Sequence, residues 1–262
     1  MTQAMTDRPA SESRAAGARG GALGVVLATV VGNAYLLLGS LFFAILALAA
    51  GIVDRSGNST FRIGRLWSRG IAVTSGLRLR RSFATPLDGS RPVVYMANHQ
   101  SLFDIPVLFV TLPGQARMLA KNSVFRIPIL GWAIRLGGFI SIDRSDRSRA
   151  KESFDAAVDR LRSGASALVF PEGTRSLDGR LAAFQRGGLL LALKSGLPIV
   201  PVGIEGTLEV QSKKSFAIRP RTIFVRYGEP IEVGGYRIRD RDRLAERVRA
   251  AVAELARTEV AQ

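Results

Sequence analysis

Apolar residues along this chain fall into one long run and a series of short ones. From Gly21 to Val53 no charged residue occurs in 33 positions. The run includes Val25, Leu27, Leu36, Leu41, Phe42 and Ile45. As one helix, at about 1.5 Å per residue, it would reach about 50 Å, which overshoots a hydrocarbon core of about 30 Å. Two forms fit: a single tilted span, or a hairpin of two short helices broken at Gly32-Asn33 or Gly39-Ser40 that enters one leaflet. Because the run is far longer than a signal-peptide core, it is expected to be a membrane-anchoring helix or helical hairpin.

The short runs alternate in type. Val93–Ala97 reads as a buried strand ending at Asn98, and Ile105-Pro106 opens a helical run to Phe109, proline favouring a first turn. Phe139–Ile142 reads as a strand, and Ala150–Leu161 as a helix with Phe154, Val158 and Leu161 on one face and Gly164 as its stop. Ala167–Phe170 is a strand, Pro171–Arg186 a loop, Gly187–Lys194 a helix, Ile199–Val202 a strand and Thr222–Tyr227 a late strand. Arg243–Arg257 closes the chain as an amphipathic helix with Leu244, Val248, Val252 and Leu255 at helical spacing. This alternation predicts an α/β fold with a mixed, largely parallel sheet flanked by helices. Ser11–Gly20 and Asp54–Thr60 are linker-like and bracket the long run. The expected organisation is a polar N-terminal tail at 1–20, a membrane anchor at 21–53 and a globular domain at 54–262.

Charge sharpens the picture. The 37 basic and 21 acidic residues give a net charge of +16, which favours anionic lipid or nucleic acid as a partner. The basic residues have no interleaved aromatic platform and no recognised binding motif, so nucleic acid is not expected. Arg55, Arg62, Arg65, Arg69, Arg78, Arg80 and Arg81 follow the anchor, whereas Arg8, Arg14 and Arg19 precede it alongside Asp7 and Glu12. By that asymmetry the domain belongs on the cytoplasmic face of the inner membrane. The chain has no cysteine, which excludes disulfides, cysteine-ligated metal sites and cysteine acyl-enzyme chemistry.

Two clusters carry candidate chemistry, both at predicted strand ends, where α/β sheets place ligands. In Asn98-His99-Gln100-Ser101-Leu102-Phe103-Asp104 the single histidine precedes an aspartate by five residues. With His99 in the loop and Asp104 at the helix start, Asp104 can accept from Nδ1 and leave Nε2 to take a proton from a hydroxyl. In Phe170-Pro171-Glu172-Gly173-Thr174-Arg175-Ser176, Gly173 permits close backbone approach and Arg175 can grip a phosphate with two hydrogen bonds. A lone histidine offers no ligand cluster, so no metal is expected. With no cysteine, and Ser101 only two residues from His99, the pair supplies a base but no activated nucleophile.

These segments resemble the glycerolipid O-acyltransferase family, which contains the 1-acylglycerol-3-phosphate (lysophosphatidic acid) acyltransferases. The first block is similar to its N-H-x-S-x-x-D at Asn98–Asp104, and the second to its G-x-x-x-I-D-R at Gly138, Ile142, Asp143 and Arg144. The third, F-P-E-G-T-R-S, is complete at Phe170–Ser176, and the fourth, an apolar strand with an embedded V-P, fits Ile199–Val202. The resemblance covers roughly Tyr95 to Gly206. It implies His99 as general base oriented by Asp104, and Arg175 as a ligand of the acceptor phosphate. Lys121, ahead of Ile127-Pro128-Ile129-Leu130-Gly131-Trp132, and Arg144 are implied as further phosphate ligands. Asn98, Ser101, Phe170, Pro171, Glu172, Gly173 and Thr174 shape the site. Ser141, where the family is usually bulky and apolar, and Gln185-Arg186, where it often has two basic residues, depart from the pattern. The implied reaction moves a fatty acyl group from acyl-CoA or an acyl carrier protein thioester to lysophosphatidic acid, giving phosphatidic acid without a cofactor. The expected partners are a lyso-lipid acceptor, the thioester donor and membrane lipid. Another lyso-lipid such as lyso-ornithine lipid, or a non-catalytic lipid-binding membrane protein, is the alternative.

Overall fold

The computed structural model describes residues 21–142, 147–211 and 215–261. Its framework is a seven-stranded sheet built from β1 (Arg78–Phe83), β2 (Val94–Ala97), β3 (Ala116–Lys121), β4 (Ile140–Ile142), β5 (Ser166–Val169), β6 (Ile199–Glu205) and β7 (Thr222–Tyr227). The strand order is β1-β7-β6-β2-β5-β3-β4. Every pair is parallel except β6–β7, which matches the expected mixed, largely parallel α/β architecture. Strands β2 and β5 are buried along their whole length, as continuous apolar runs are when helices cover both faces of a sheet.

Helices α1 (Gly21–Val53), α2 (Asn58–Thr74) and α3 (Asp104–Thr111) lie on one side. Phe61 and Phe109 stack at 4.9 Å where α2 meets α3, over a core containing Tyr95, Leu168 and Val202. Short helix α4 (Leu130–Leu136) packs against the C-terminal half of α1. Helices α5 (Arg147–Arg162), α6 (Arg186–Ser195) and α8 (Arg241–Ala256) cover the opposite face through Val158, Leu161, Leu189, Leu191, Leu244, Val248 and Val252. The one-turn helix α7 (Thr207–Val210) follows β6. A side chain at Gly188 would press within 2.8 Å of Val169, so glycine lets α6 sit directly on β5.

The structure selects the single helix over the broken pair for the apolar run and corrects the reading of the segment that follows it. The long apolar run is one helix containing a π-helical turn at Tyr35–Gly39, with no break at either glycine. Its antiparallel partner is α2, so the hairpin forms outside the apolar run. The two helices touch through small residues: Ala44, Ala47 and Gly51 are buried on α1, and any side chain at Gly70 would collide with the Tyr35 ring. Finally, Asp54–Thr60 is a tight turn leading into α2 rather than a linker. Asp54 Oδ1 accepts from Ser56 N–H at 2.9 Å and Oδ2 from Ser59 N–H at 2.8 Å, capping the helix start. The tail at 1–20 lies outside the described residues.

Candidate active site

The parallel strands β2, β5, β3 and β4 end at one edge of the sheet, and the two motifs leave the adjacent strands β2 and β5 there. His99 Nδ1 lies 2.8 Å from Asp104 Oδ2. The same oxygen accepts from the backbone N–H groups of Gln100 at 2.7 Å and Ser101 at 2.8 Å. A five-residue spacing cannot pair two side chains across a regular helix. Here the loop 98–103 curls over the first turn of α3, so Asp104, fully buried, receives the loop's own donors. The carboxylate thereby holds the tautomer that carries hydrogen on Nδ1. Nε2 has no hydrogen-bond partner among the described residues, and the ring is 15% exposed, enough to meet a substrate.

The second motif supports the first. The Phe170 ring stacks on the His99 ring with centroids 4.1 Å apart. Glu172, 3% exposed, accepts from His99 N–H at 2.7 Å and from Ala182 N–H at 3.0 Å. The Ser176 N–H donates back to the His99 carbonyl at 2.8 Å. Burial pushes the Glu172 carboxyl up, against the two backbone hydrogen bonds that pull it down. Gly173 turns with φ of 71°, donating its N–H to the Phe170 carbonyl at 3.0 Å, a conformation that favours glycine. Pro171 is buried and its carbonyl accepts from Gln185 N–H, closing the loop base, while Thr174 is exposed.

Two members of the first motif act as braces. Asn98 makes a two-way clamp with Ile204, donating to its carbonyl at 2.9 Å and accepting its N–H at 2.7 Å, which locks β2 to β6 at the site. Ser101 donates to the Gln211 carbonyl at 3.3 Å. Sequence reasoning overlooked Gln100 and Thr207. Thr207 donates to the free oxygen of Asp104 at 2.5 Å, and Gln100 Nε2 donates to Thr207 Oγ1 at 3.1 Å. The available signal was position alone: Thr207 follows the V-P strand, and β6 neighbours β2.

Arg175 is half-buried beside this cluster; its carbonyl accepts from the Thr174 hydroxyl at 3.3 Å, and its guanidinium makes no hydrogen bond or ion pair among the described residues. Lys121 is exposed at the end of β3, two strands from β2, or about 10 Å at the usual strand spacing. Asp143 and Arg144 lie outside the described residues. Gly138 adopts φ of 74°, a left-handed conformation that accounts for glycine at the start of the second block. Among the described residues no group of three histidine or acidic side chains is placed to hold a metal.

Comparison with known proteins places this geometry. The acyltransferase family profile matches residues 75–205, which include both motifs. The chain is 41% identical over 136 residues to a 1-acyl-sn-glycerol-3-phosphate acyltransferase of Chlamydomonas reinhardtii, covering 52% of this chain and 41% of that protein. It spans less than half the length of the first curated relatives it matches. The similarity to 1-acyl-sn-glycerol-3-phosphate acyltransferase alpha of Bos taurus is more extensive, 31% over 210 residues, or 80% of this chain and 73% of the relative. Among solved structures, the 1-acyl-sn-glycerophosphate (LPA) acyltransferase PlsC from Thermotoga maritima superposes with a TM-score of 0.68 at 25% identity, covering 92% of this chain and 97% of that one. A profile spanning both motifs and a relative aligned across most of both chains establish that this protein belongs to the acyltransferase family, alongside the 1-acyl-sn-glycerol-3-phosphate acyltransferases.

Proposed function

We propose that this protein transfers a fatty acyl group from a thioester to the free hydroxyl of lysophosphatidic acid, forming phosphatidic acid. The observation that carries the chemistry is the His99 ring fixed through Nδ1 by Asp104, with Nε2 unpartnered among the described residues. Nε2 takes the proton of the acceptor hydroxyl as its oxygen attacks the thioester carbonyl. Collapse of the tetrahedral intermediate forms the ester and breaks the carbon–sulfur bond, and the imidazolium returns the proton to the departing thiolate. No acyl-enzyme is required. The donor is acyl-CoA or an acyl carrier protein thioester, and no cofactor takes part.

The acceptor phosphate falls to Arg175, a half-buried guanidinium without a partner among the described residues, aided by Lys121 and Arg144. That free cation favours a phosphate-bearing acceptor over lyso-ornithine lipid. The membrane role is carried by α1. Its contacts with the domain run from Thr29, whose hydroxyl oxygen accepts from Ile218 N–H, to Gly51 against Leu136. A helix laid along the domain over that length enters one leaflet and does not cross the bilayer. Its outer face exposes Leu27, Val30, Leu38, Leu41, Phe42 and Ile45, and Arg62, Leu66, Arg69 and Val73 continue the surface on α2. Leu102 and Leu177, exposed on the loops after β2 and β5, bring the catalytic edge to the same lipid surface on the cytoplasmic side.

Arg175→Ala tests the acceptor assignment. It should lower kcat/KM for lysophosphatidic acid by about 10- to 100-fold, the worth of a charge-assisted hydrogen bond, and leave turnover of monoacylglycerol unchanged. An equal loss with both acceptors would move the phosphate site elsewhere.

A further inference from the structure

Arg117 is a buried cation that acyl transfer does not use. It stands near the start of β3 and is 6% exposed. Its Nη2 donates to the Ser56 carbonyl at 3.0 Å and to Asn58 Oδ1 at 2.9 Å, and Nη1 donates to Gln115 Oε1 at 3.4 Å. All three acceptors are neutral, and no carboxylate of the described residues forms an ion pair with it. Burial and the nearby Arg160 charge both oppose its protonated form. Asp54 favours that form only through space, its oxygens already accepting from Ser56 and Ser59. A guanidinium taken out of water without a counter-ion is costly, and an anion relieves that cost.

The same residue lines a cavity of 330 Å³ together with Asn58, Ser90, Gln115 and Ser166. That volume falls at the lower end of small-molecule sites. The cavity opens at the starting ends of β2, β3 and β5. His99 is at the opposite edge, about 17 Å away at roughly 3.3 Å per strand residue. A guanidinium has five N–H donors. Three are committed to the neutral acceptors, and two remain for a ligand. Ser90 already donates its hydroxyl to Asp88 Oδ1 at 2.8 Å, but Ser166, whose oxygen accepts from Val93 N–H at 3.1 Å, keeps its own hydrogen. With the side-chain amides of Asn58 and Gln115, Ser166 completes a lining suited to phosphate oxygens rather than to an acyl chain.

We propose that this cavity binds a small phosphate-bearing anion, paired with Arg117 beneath the turn that joins α1 and α2. Because the same guanidinium holds Ser56 and Asn58, an anion there also ties down the base of the helical hairpin. The phosphate comes either from a free phosphorylated molecule or from a lipid headgroup at the membrane surface, and the experiment separates the two.

Amide hydrogen exchange on the full chain carrying Arg175→Ala, which removes the acceptor-phosphate ligand, provides the readout. In detergent micelles, inorganic phosphate should slow exchange at 54–60 and 114–118 relative to chloride at equal ionic strength. In vesicles, phosphatidic acid in phosphatidylcholine should do so relative to phosphatidylcholine alone if the headgroup is the source. Either pattern supports the site, provided that Gln115→Glu weakens the response by at least about tenfold. That substitution places a carboxylate where Arg117 now meets an amide oxygen, supplying the missing counter-ion. Arg117→Gln should abolish the response as well, and if it fails to fold, Gln115→Glu decides alone. Protection by neither source, or protection that Gln115→Glu leaves intact, overturns the proposal.

Discussion

The hydroxyl of Thr207 donates to Oδ1 of Asp104 at 2.5 Å, while the other oxygen of that carboxylate holds the His99 ring. Thr207 thus fixes the aspartate that fixes the base, from a one-turn helix far along the chain. Thr207→Val keeps the shape but leaves a buried oxygen one donor short, at a cost of about 1–3 kcal/mol. The expected result is a kcat about tenfold or more lower with KM for the acceptor unchanged, a shifted pH–rate profile, and recovery by Thr207→Ser. Equal behaviour of the valine and serine variants would show that the hydroxyl has no positioning role.

Glu172 predicts a pH signature. Burial raises its carboxyl pKa in the folded chain, so the folded state holds that proton more tightly than the unfolded state does. Its contribution to stability is therefore most favourable below the ordinary glutamate range and declines as pH rises through that range toward the raised value. Glu172→Gln removes this slope. It also replaces one acceptor oxygen with a donor facing a backbone N–H, which should loosen the loop bearing Arg175. Urea midpoints measured across that pH range should fall with pH in the native protein and less steeply in the variant. Parallel curves would contradict the assignment.

The hairpin is separable from the fold by surface substitution. Leu41, Phe42 and Ile45 are more than half exposed, so replacing all three with serine removes apolar surface from the outer face without opening the core. Co-sedimentation with vesicles should drop severalfold while the far-UV spectrum and thermal midpoint hold. Deleting 1–53 is expected instead to cause aggregation, because it uncovers Thr60 and Leu136, which pack on α1. Undiminished vesicle binding by the triple serine variant would assign membrane attachment to another surface.

Legibility in the sequence followed burial. β2, β5 and the start of β6 read directly as short apolar runs because helices cover both of their faces. β1 escaped notice because Arg78, Arg80 and Arg81 make it a charged edge strand with mostly exposed side chains. β3 did so because only Ala116 and Arg117 are buried in it, and an arginine is not a core signal. α2 was overlooked because its arginines balance Phe61, Ile71 and Ala72 in mean hydropathy, leaving a helical stripe without an apolar run. His99, Asp104 and Glu172 were legible because each site segment is contiguous. Thr207 and Gln100 were not, since only the pairing of β6 with β2 brings their contacts together.

Acyl transfer to lysophosphatidic acid, compared between the native protein and His99→Ala in the same lipid micelles, tests the central assignment most directly. Loss of the base should lower turnover by about 10²- to 10⁴-fold, with folding and membrane binding retained. Turnover near the native level in the variant would contradict the role given to His99.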